Sequence, residues 1–198
     1  MQKIVLATNN RHKTEEIRAI LKGLPFEILT ASDFPDFPDP DETGDTLEEN
    51  ARIKAVAIHE ATGLWSLADD SGLEVDALDG APGVISARFA GPGCTFEDNN
   101  RKLLELLRDV PDDQRGARFR CVAALAKSGD DVTLFSGEIR GTITREIRGV
   151  GGFGYDPVFY VPELGCTFAE ASAEAKNRLS HRGRAFGMVR ELLLNLGG

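Results

Sequence analysis

The sequence is poor in cysteine and histidine and has no surplus of basic charge, and each shortage excludes a class of function. Its three cysteines, Cys94, Cys121 and Cys166, are odd in number and show no CxxC spacing. That argues against both a disulfide framework and a zinc knuckle. Cys121 lies in an apolar run and reads as a small buried hydrophobe. The three histidines, His12, His59 and His181, are too scattered to form a histidine metal site. His59 reads as a surface residue of a helix. Lys and Arg total 23 against 32 Asp and Glu, a formal net charge of −9. No nucleic-acid partner is expected, because such affinity comes largely from cations on phosphates. A small phosphorylated ligand stays possible, since a few local cations and one metal ion can reverse the potential inside a cleft. No apolar run reaches the ~18 residues of a membrane span, so no membrane partner is expected. The start, Met1-Gln2-Lys3-Ile4-Val5-Leu6, passes straight into a strand pattern without a signal-peptide layout, and a cytoplasmic protein is expected. There is no internal repeat and no low-complexity tail.

What is present suits one domain over residues 1–198, with room for two lobes. Hydrophobic residues make up 41% and charged residues 28%, enough to build a core. Residues 3–7 form an apolar strand, and Ile17, Ile20 and Leu21 give residues 13–22 a helical period that Gly23 and Pro25 end. A strand over 26–30 follows. Residues 31–45, rich in Asp and Pro, form a loop. A helix spans 46–62, closed by Gly63. Residues 64–68 form a strand leading into Asp69-Asp70-Ser71-Gly72, after which Leu73, Val75 and Ala77 alternate. Thr95 and Asp98 make a capping box for a helix holding Leu103, Leu104, Leu106 and Leu107. Residues 118–126 and 132–140 form a hairpin around Gly129, residues 157–161 a last strand, and residues 181–196 a closing helix capped by Ser180. Early alternation followed by clustered strands predicts an α/β fold with a mixed sheet.

Four segments carry polar chemistry. Thr8-Asn9-Asn10-Arg11-His12-Lys13 lies between strand and helix, where backbone N–H groups favour anions, and adds hydroxyl, amide and ammonium donors. It is not a GxxxxGK[ST] loop; the plain alternative is a helix cap with a solvated lysine. Asp69 and Asp70 at a strand end repel each other unless a cation or donors sit nearby. Magnesium accepts one or two carboxylates plus phosphate oxygens, and Glu42 could supply a second carboxylate; the alternative is an acidic turn. In Gly149-Val150-Gly151-Gly152-Phe153-Gly154-Tyr155-Asp156-Pro157 the glycines allow close backbone approach, and Phe153 and Tyr155 offer faces for a base; the alternative is a glycine turn. Lys176 and Ser180-His181-Arg182-Gly183 place cations at a helix start, which opposes the macrodipole and hints at a bound acceptor; the alternative is that they face solvent. Together these are phosphate donors, a metal carboxylate pair, a stacking aromatic and base-edge donors, the parts a nucleoside triphosphate hydrolase needs.

With those residues in view, the chain closely resembles the inosine/xanthosine triphosphate pyrophosphatase family. The ordered series is T-x-N-x-x-K at Thr8, Asn10 and Lys13, ETG-x-T at Glu42 to Thr46, and N-A-x-x-K-A at Asn50 to Ala55. ADDSGL at 68–73, GAPG at 80–83, SAR at 86–88, GGFGYDP at 151–157 and SHRG at 180–183 complete it. Asn9 and His12 depart from it, since many members carry glycine there. The resemblance implies an elongated mixed β-sheet with flanking helices, two lobes around a central cleft, and a homodimer. It implies hydrolysis of ITP, dITP and XTP to monophosphate and pyrophosphate, which clears deaminated purines from the nucleotide pool.

Site roles follow from the same resemblance. Thr8, Asn9, Asn10, Arg11, His12, Lys13 and Ser71 bind phosphate or sugar. Phe153, Gly154, Tyr155 and Asp156 lie at the base. Asp70 and Glu42 hold Mg2+. Asp70 is the assigned proton acceptor, while Asp69 is an alternative holder of that role because a metal-bound carboxylate is a weak base. Selection of a 6-oxo purine falls to Lys176, His181 and Arg182, which offer donors to a carbonyl and none to an amino group. Two other readings are open: a pyrophosphatase of other modified nucleotides, and a non-catalytic ITP/XTP sensor.

Overall fold

Five α-helices and seven β-strands form among residues 2–197, which the computed structural model describes. β1 (Gln2–Leu6) buries Ile4, Val5 and Leu6 completely, as a strand covered on both faces must. It pairs in parallel with β2 (Phe26–Leu29) on one side and β3 (Trp65–Val75) on the other. α1 (Arg11–Ile20) connects β1 to β2, and α2 (Leu47–Thr62) precedes β3. α2 opens on a capping box between Thr46 and Glu49 and closes on Gly63, whose φ of 68° is the left-handed conformation a helix stop requires. α3 (Phe96–Leu106) opens on the Thr95–Asp98 capping box that its sequence predicts. β4 (Gly116–Ala126), β5 (Val132–Ile143), β6 (Phe159–Val161), β7 (Cys166–Thr167), α4 (Ala173–Leu179) and α5 (His181–Leu196) complete the chain. The strands bond in the order β2-β1-β3-β4-β5-β6-β7. β5, β6 and β7 pair antiparallel, so the sheet is mixed, as expected.

The chain divides into two compact units. The first comprises the chain up to Asp70, Cys121–Gly137, and the chain from His181 onward. Its core joins Ile4 and Leu6 of β1, Ile17 and Leu21 of α1, Leu67 of β3, Cys121, Ala123 and Leu125 of β4, and Phe186, Val189 and Leu193 of α5. The second comprises Ser71–Arg120 and Glu138–Ser180. Its core centres on Phe119, Phe159 and Phe168, with Leu73, Val75, Leu103 and Leu107 around them. Phe119 and Phe159 approach to 4.6 Å between ring centroids. No described helix is long and apolar enough to cross a membrane.

Several boundaries differ from the sequence expectation. α1 starts at Arg11, not at residue 13, because Asn10 is its cap, with extended backbone and a side chain that accepts from Lys13 N–H. β3 does not end before the acidic pair. It runs through Asp69-Asp70-Ser71-Gly72 to Val75, so these residues form no turn. α4, capped by Ser172, and the two-residue β7 went unforeseen. Ser180 closes α4, its N–H donating to the Lys176 carbonyl at 2.8 Å.

Candidate functional site

Successive residues of a strand point to opposite faces. Because β3 stays extended through the acidic pair, Asp69 and Asp70 leave it on opposite sides. Asp69 shares its side with Leu67, the face covered by α1 and α5. Asp70 points to the side from which α2 sends Lys54.

On the first side, Asp69 is held by cations from both ends of the chain. Its Oδ2 lies 3.1 Å from Lys13 Nζ on α1 and accepts from Arg182 Nη2 at 3.1 Å and Nε at 3.4 Å on α5. The Cys121 thiol of β4 is 3.9 Å from the same oxygen. Arg182 Nη1 donates to Glu16 Oε2 at 2.6 Å, and the residue is 2% exposed. Burial opposes ionisation of Asp69, but Lys13, Arg182 and Lys54 outweigh it and hold its carboxyl well below the usual carboxylate range. Burial likewise opposes the charge on Arg182, and Asp69 and Glu16 reverse that, pushing its pKa up. α5 can start where it does because Gly137 of β5 has no side chain: a Cβ there would meet the His181 carbonyl at 2.3 Å.

On the second side, Lys54 Nζ bridges two carboxylates, 2.6 Å from Glu42 Oε1 and 3.2 Å from Asp70 Oδ1. The ETG motif delivers Glu42. Gly44 N–H donates to Asn50 Oδ1 at 2.8 Å, and the Asn50 amide returns a bond to the Gly44 carbonyl at 3.3 Å. A Cβ on Gly44 would meet Glu49 Cβ at 2.6 Å, so only glycine lets the segment fold onto α2. Asn50 and Lys54 are one helical turn apart, which puts both on one face of α2. Asp70 Oδ2 is buried without a hydrogen-bond partner among the described residues. Burial raises the Asp70 pKa, with Lys54 and Lys13 opposing and Glu42 and Asp69 reinforcing the rise. Burial works against charge on Lys54, but Asp70, Asp69 and Glu42 raise its pKa on balance.

The Thr8–Lys13 segment is held by its own side chains. Thr8 Oγ1 accepts from Asn10 N–H at 3.1 Å, and the Asn9 amide donates to Asp39 at 3.1 Å. Arg11 and His12 are exposed on the first turn of α1, Arg11 paired with Glu15 at 2.9 Å.

The second unit holds the glycine loop. Asp156 Oδ2 accepts from Phe153 N–H at 2.8 Å and from Lys176 Nζ at 2.5 Å. Lys176 Nζ also lies 4.7 Å from the Phe153 ring centroid. Gly152 has φ 69°, and a Cβ there would strike Asp156 Oδ2 at 2.0 Å. Asn100 of α3 donates to the Gly154 carbonyl at 2.9 Å. Tyr155 does not offer a face to a base. It is 4% exposed in the core, its hydroxyl donates to the Ser86 carbonyl at 2.8 Å, and burial pushes its pKa up. The GAPG and SAR motifs brace the strand that bears Ser71: Ser86 Oγ accepts from Leu73 N–H at 2.9 Å and donates to the Gly83 carbonyl at 2.6 Å.

Eight of the residues expected from sequence thus fall into three groups. Lys13, Asp69 and Arg182 form one cluster, Glu42 and Asp70 a second, and Phe153, Asp156 and Lys176 a third. Arg182, expected at the base, donates to both Asp69 and Glu16 within the first unit. His181 is buried at the start of α5. Three residues escaped sequence reasoning: Lys54, Glu16 and Asn100. Lys54 and Asn50 at i, i+4 in the N-A-x-x-K-A motif were the available signal. Glu16 and Asn100 gave none. No group of three His, Cys, Asp or Glu able to cage a metal occurs among the described residues.

Comparison with known proteins places this geometry in a lineage. A dITP/XTP pyrophosphatase of Geobacter sulfurreducens is 54% identical over 193 residues, covering 98% of this chain and 97% of that protein. The dITP/XTP pyrophosphatase of Desulforamulus reducens is 52% identical over 98% of this chain and 96% of its own. Among solved structures, a HAM1 protein from Coxiella burnetii superposes with a TM-score of 0.90 at 43% identity, covering 98% of this chain and 100% of that one. The Staphylococcus aureus Ham1 protein gives 0.87 at 40% identity, covering 98% of this chain and 100% of that one. The Ham1 family model matches residues 4–192, and with relatives this similar over nearly its whole length the chain belongs to the Ham1 family.

Proposed function

We propose that the chain is a magnesium-dependent nucleoside triphosphate pyrophosphatase that converts ITP, dITP and XTP to the monophosphate and pyrophosphate. The observation that carries this reading is the Glu42–Lys54–Asp70 cluster, with one buried Asp70 oxygen unbonded. The names of the relatives, dITP/XTP pyrophosphatases, point to two of these substrates, dITP and XTP. The family reading brings a homodimer and a cytoplasmic site of action, where polymerases draw on the nucleotide pool. One pyrophosphatase domain over residues 1–198 is part of the proposal.

Glu42 and Asp70 suit magnesium. They are hard oxygen donors, too few to cage the ion alone, and magnesium commonly takes one or two carboxylates and completes its shell with phosphate and water. The orphaned Asp70 Oδ2 supplies a ligand position that no protein donor fills. When bound, the ion would neutralise charge on the phosphate oxygens of the leaving pyrophosphate. The chain's own residues do the rest. Lys13 and the N–H groups at the start of α1 hold phosphate, aided by the helix dipole. The side chains of Thr8, Asn9 and Asn10 shape that segment, Arg11 and His12 flank it, and Ser71 donates to phosphate or sugar.

The two aspartates divide the work. Asp70 accepts the proton of the attacking water, with Asp69 the alternative acceptor because a metal-bound carboxylate is a weak base. Asp69, held ionised by Lys13 and Arg182, fixes the direction of Lys13. Phe153 stacks on the purine, and Lys176, oriented by Asp156, donates to the 6-oxo group; His181 keeps the base-donor role that the family resemblance implies. Gly154 and Asp156 hold the loop that presents Phe153, and Tyr155 anchors it to the core. Such donors leave an amino-bearing base mispaired. The test is product analysis with ITP and magnesium. IMP and pyrophosphate should appear in one step; accumulation of IDP with orthophosphate overturns the reading.

A further inference from the structure

Resting on the metal reading above, we infer that the Lys54 ammonium occupies the divalent cation's seat between Glu42 and Asp70. The cation and the triphosphate therefore bind as a unit, the triphosphate offering Lys54 new acceptors as the cation takes its place. The ammonium lies 2.6 Å from one carboxylate and 3.2 Å from the other, the position of a bridging cation. Lys54 is 9% exposed and Asp70 5%, so solvent does little to screen that contact, while the Glu42 side chain keeps an opening to solvent through which a ligand can reach the seat. A divalent ion joining Glu42 and Asp70 with Lys54 in place would face a fixed positive charge at contact distance, which is strongly unfavourable away from bulk water. The wider cluster adds little attraction. Four carboxylates (Glu16, Glu42, Asp69 and Asp70) face three cations (Lys13, Lys54 and Arg182), so charge is nearly balanced before any ligand arrives. Lysine suits an exchange of this kind, because its compact ammonium rides on a flexible four-carbon stem and carries three rotatable donors. An arriving triphosphate brings acceptors for that ammonium and the partners that complete a magnesium shell.

Manganese binding followed by electron paramagnetic resonance tests this, with Mn2+ as the probe. Nucleotide-free wild-type protein should hold Mn2+ weakly, and Lys54→Met should hold it at least roughly tenfold more tightly, because a like charge has been removed. Lys54→Gln, which keeps polarity, should move the same way, and circular dichroism verifies that each variant is folded. With α,β-imido-ITP present, the wild type should retain Mn2+ and Glu42→Gln should release it. If neither Lys54 variant binds Mn2+ more tightly than wild type, or if nucleotide-free wild type binds it as tightly as the ternary complex, the exchange is wrong while the metal reading stands. If Glu42→Gln leaves the ternary complex unchanged, the metal reading itself fails.

Discussion

Asp69 and Asp70 are adjacent in β3 yet lie against different cations: Asp69 Oδ2 accepts from Arg182 and lies against Lys13, whereas Asp70 Oδ1 accepts from Lys54. The strand's alternation gives the two carboxylates different nearest cations, while Lys13 and Lys54 each act on both. The two positions should therefore fail in different ways when substituted.

Asp70→Asn removes a charge that burial already disfavours. The fold should survive with a melting temperature at or above that of the wild type. Turnover should fall at least about a hundredfold, the usual scale for an acid–base group. Stopped assays of pyrophosphate release from ITP, paired with thermal melts, measure both. Near-normal kcat in a folded variant would remove Asp70 from the mechanism.

Asp69→Asn should instead damage the fold. It takes from the buried Arg182 guanidinium one of its carboxylates and from Lys13 its ion-pair partner. Breaking a buried pair from one side costs ~3–5 kcal/mol. Urea denaturation should show that loss as a lower midpoint with unchanged slope. A variant as stable as wild type would mean that the contacts at Asp69 are solvated in solution.

Arg182 separates two accounts of base selection. If it acts through Asp69, Arg182→Ala slows ITP and ATP by the same factor and lowers stability. Arg182→Lys does not restore the fork that reaches Asp69 and Glu16 at once. Values of kcat/KM for both nucleotides decide the matter. A loss confined to ITP would return Arg182 to the base pocket.

Phe153→Ala should weaken ITP and XTP alike, by roughly 1–3 kcal/mol if the ring stacks on the base. The effect should lie in KM more than in kcat. A loss seen with only one of the two nucleotides would make Phe153 a reader of the base edge rather than a stacking platform.

Much of this was legible beforehand because it is local. The apolar run of β1, the Thr95–Asp98 box and the Gly63 stop are short-range signals that tertiary contacts did not overrule. Asp69, Asp70, Glu42 and Lys13 were identifiable by residue type and motif. Their partners were not. Asp, Ser and Gly favour turns, so nothing local announced that β3 would continue through 69–72; the pairing that holds it extended is long-range. The partnership of Glu16 with Arg182 joins residues 166 positions apart and has no local signature. Tyr155 looked like a companion to Phe153, but it lies in a turn that packs its ring into the core of the second unit, with its hydroxyl on the distant Ser86 carbonyl.

The unit bearing Asp69 is assembled from three separate stretches of chain, the last beginning at His181. During synthesis, β1, α1 and β3 emerge from the ribosome long before α5, and Arg182 follows Asp69 by 113 residues. Domains fold vectorially where they can, but here the nascent chain carries an acidic strand whose guanidinium partner is not yet made. The pyrophosphatase half-site that we propose is thus completed only with the final helix, and a prematurely terminated chain would bury Asp69 against Lys13 without the guanidinium that shares its charge.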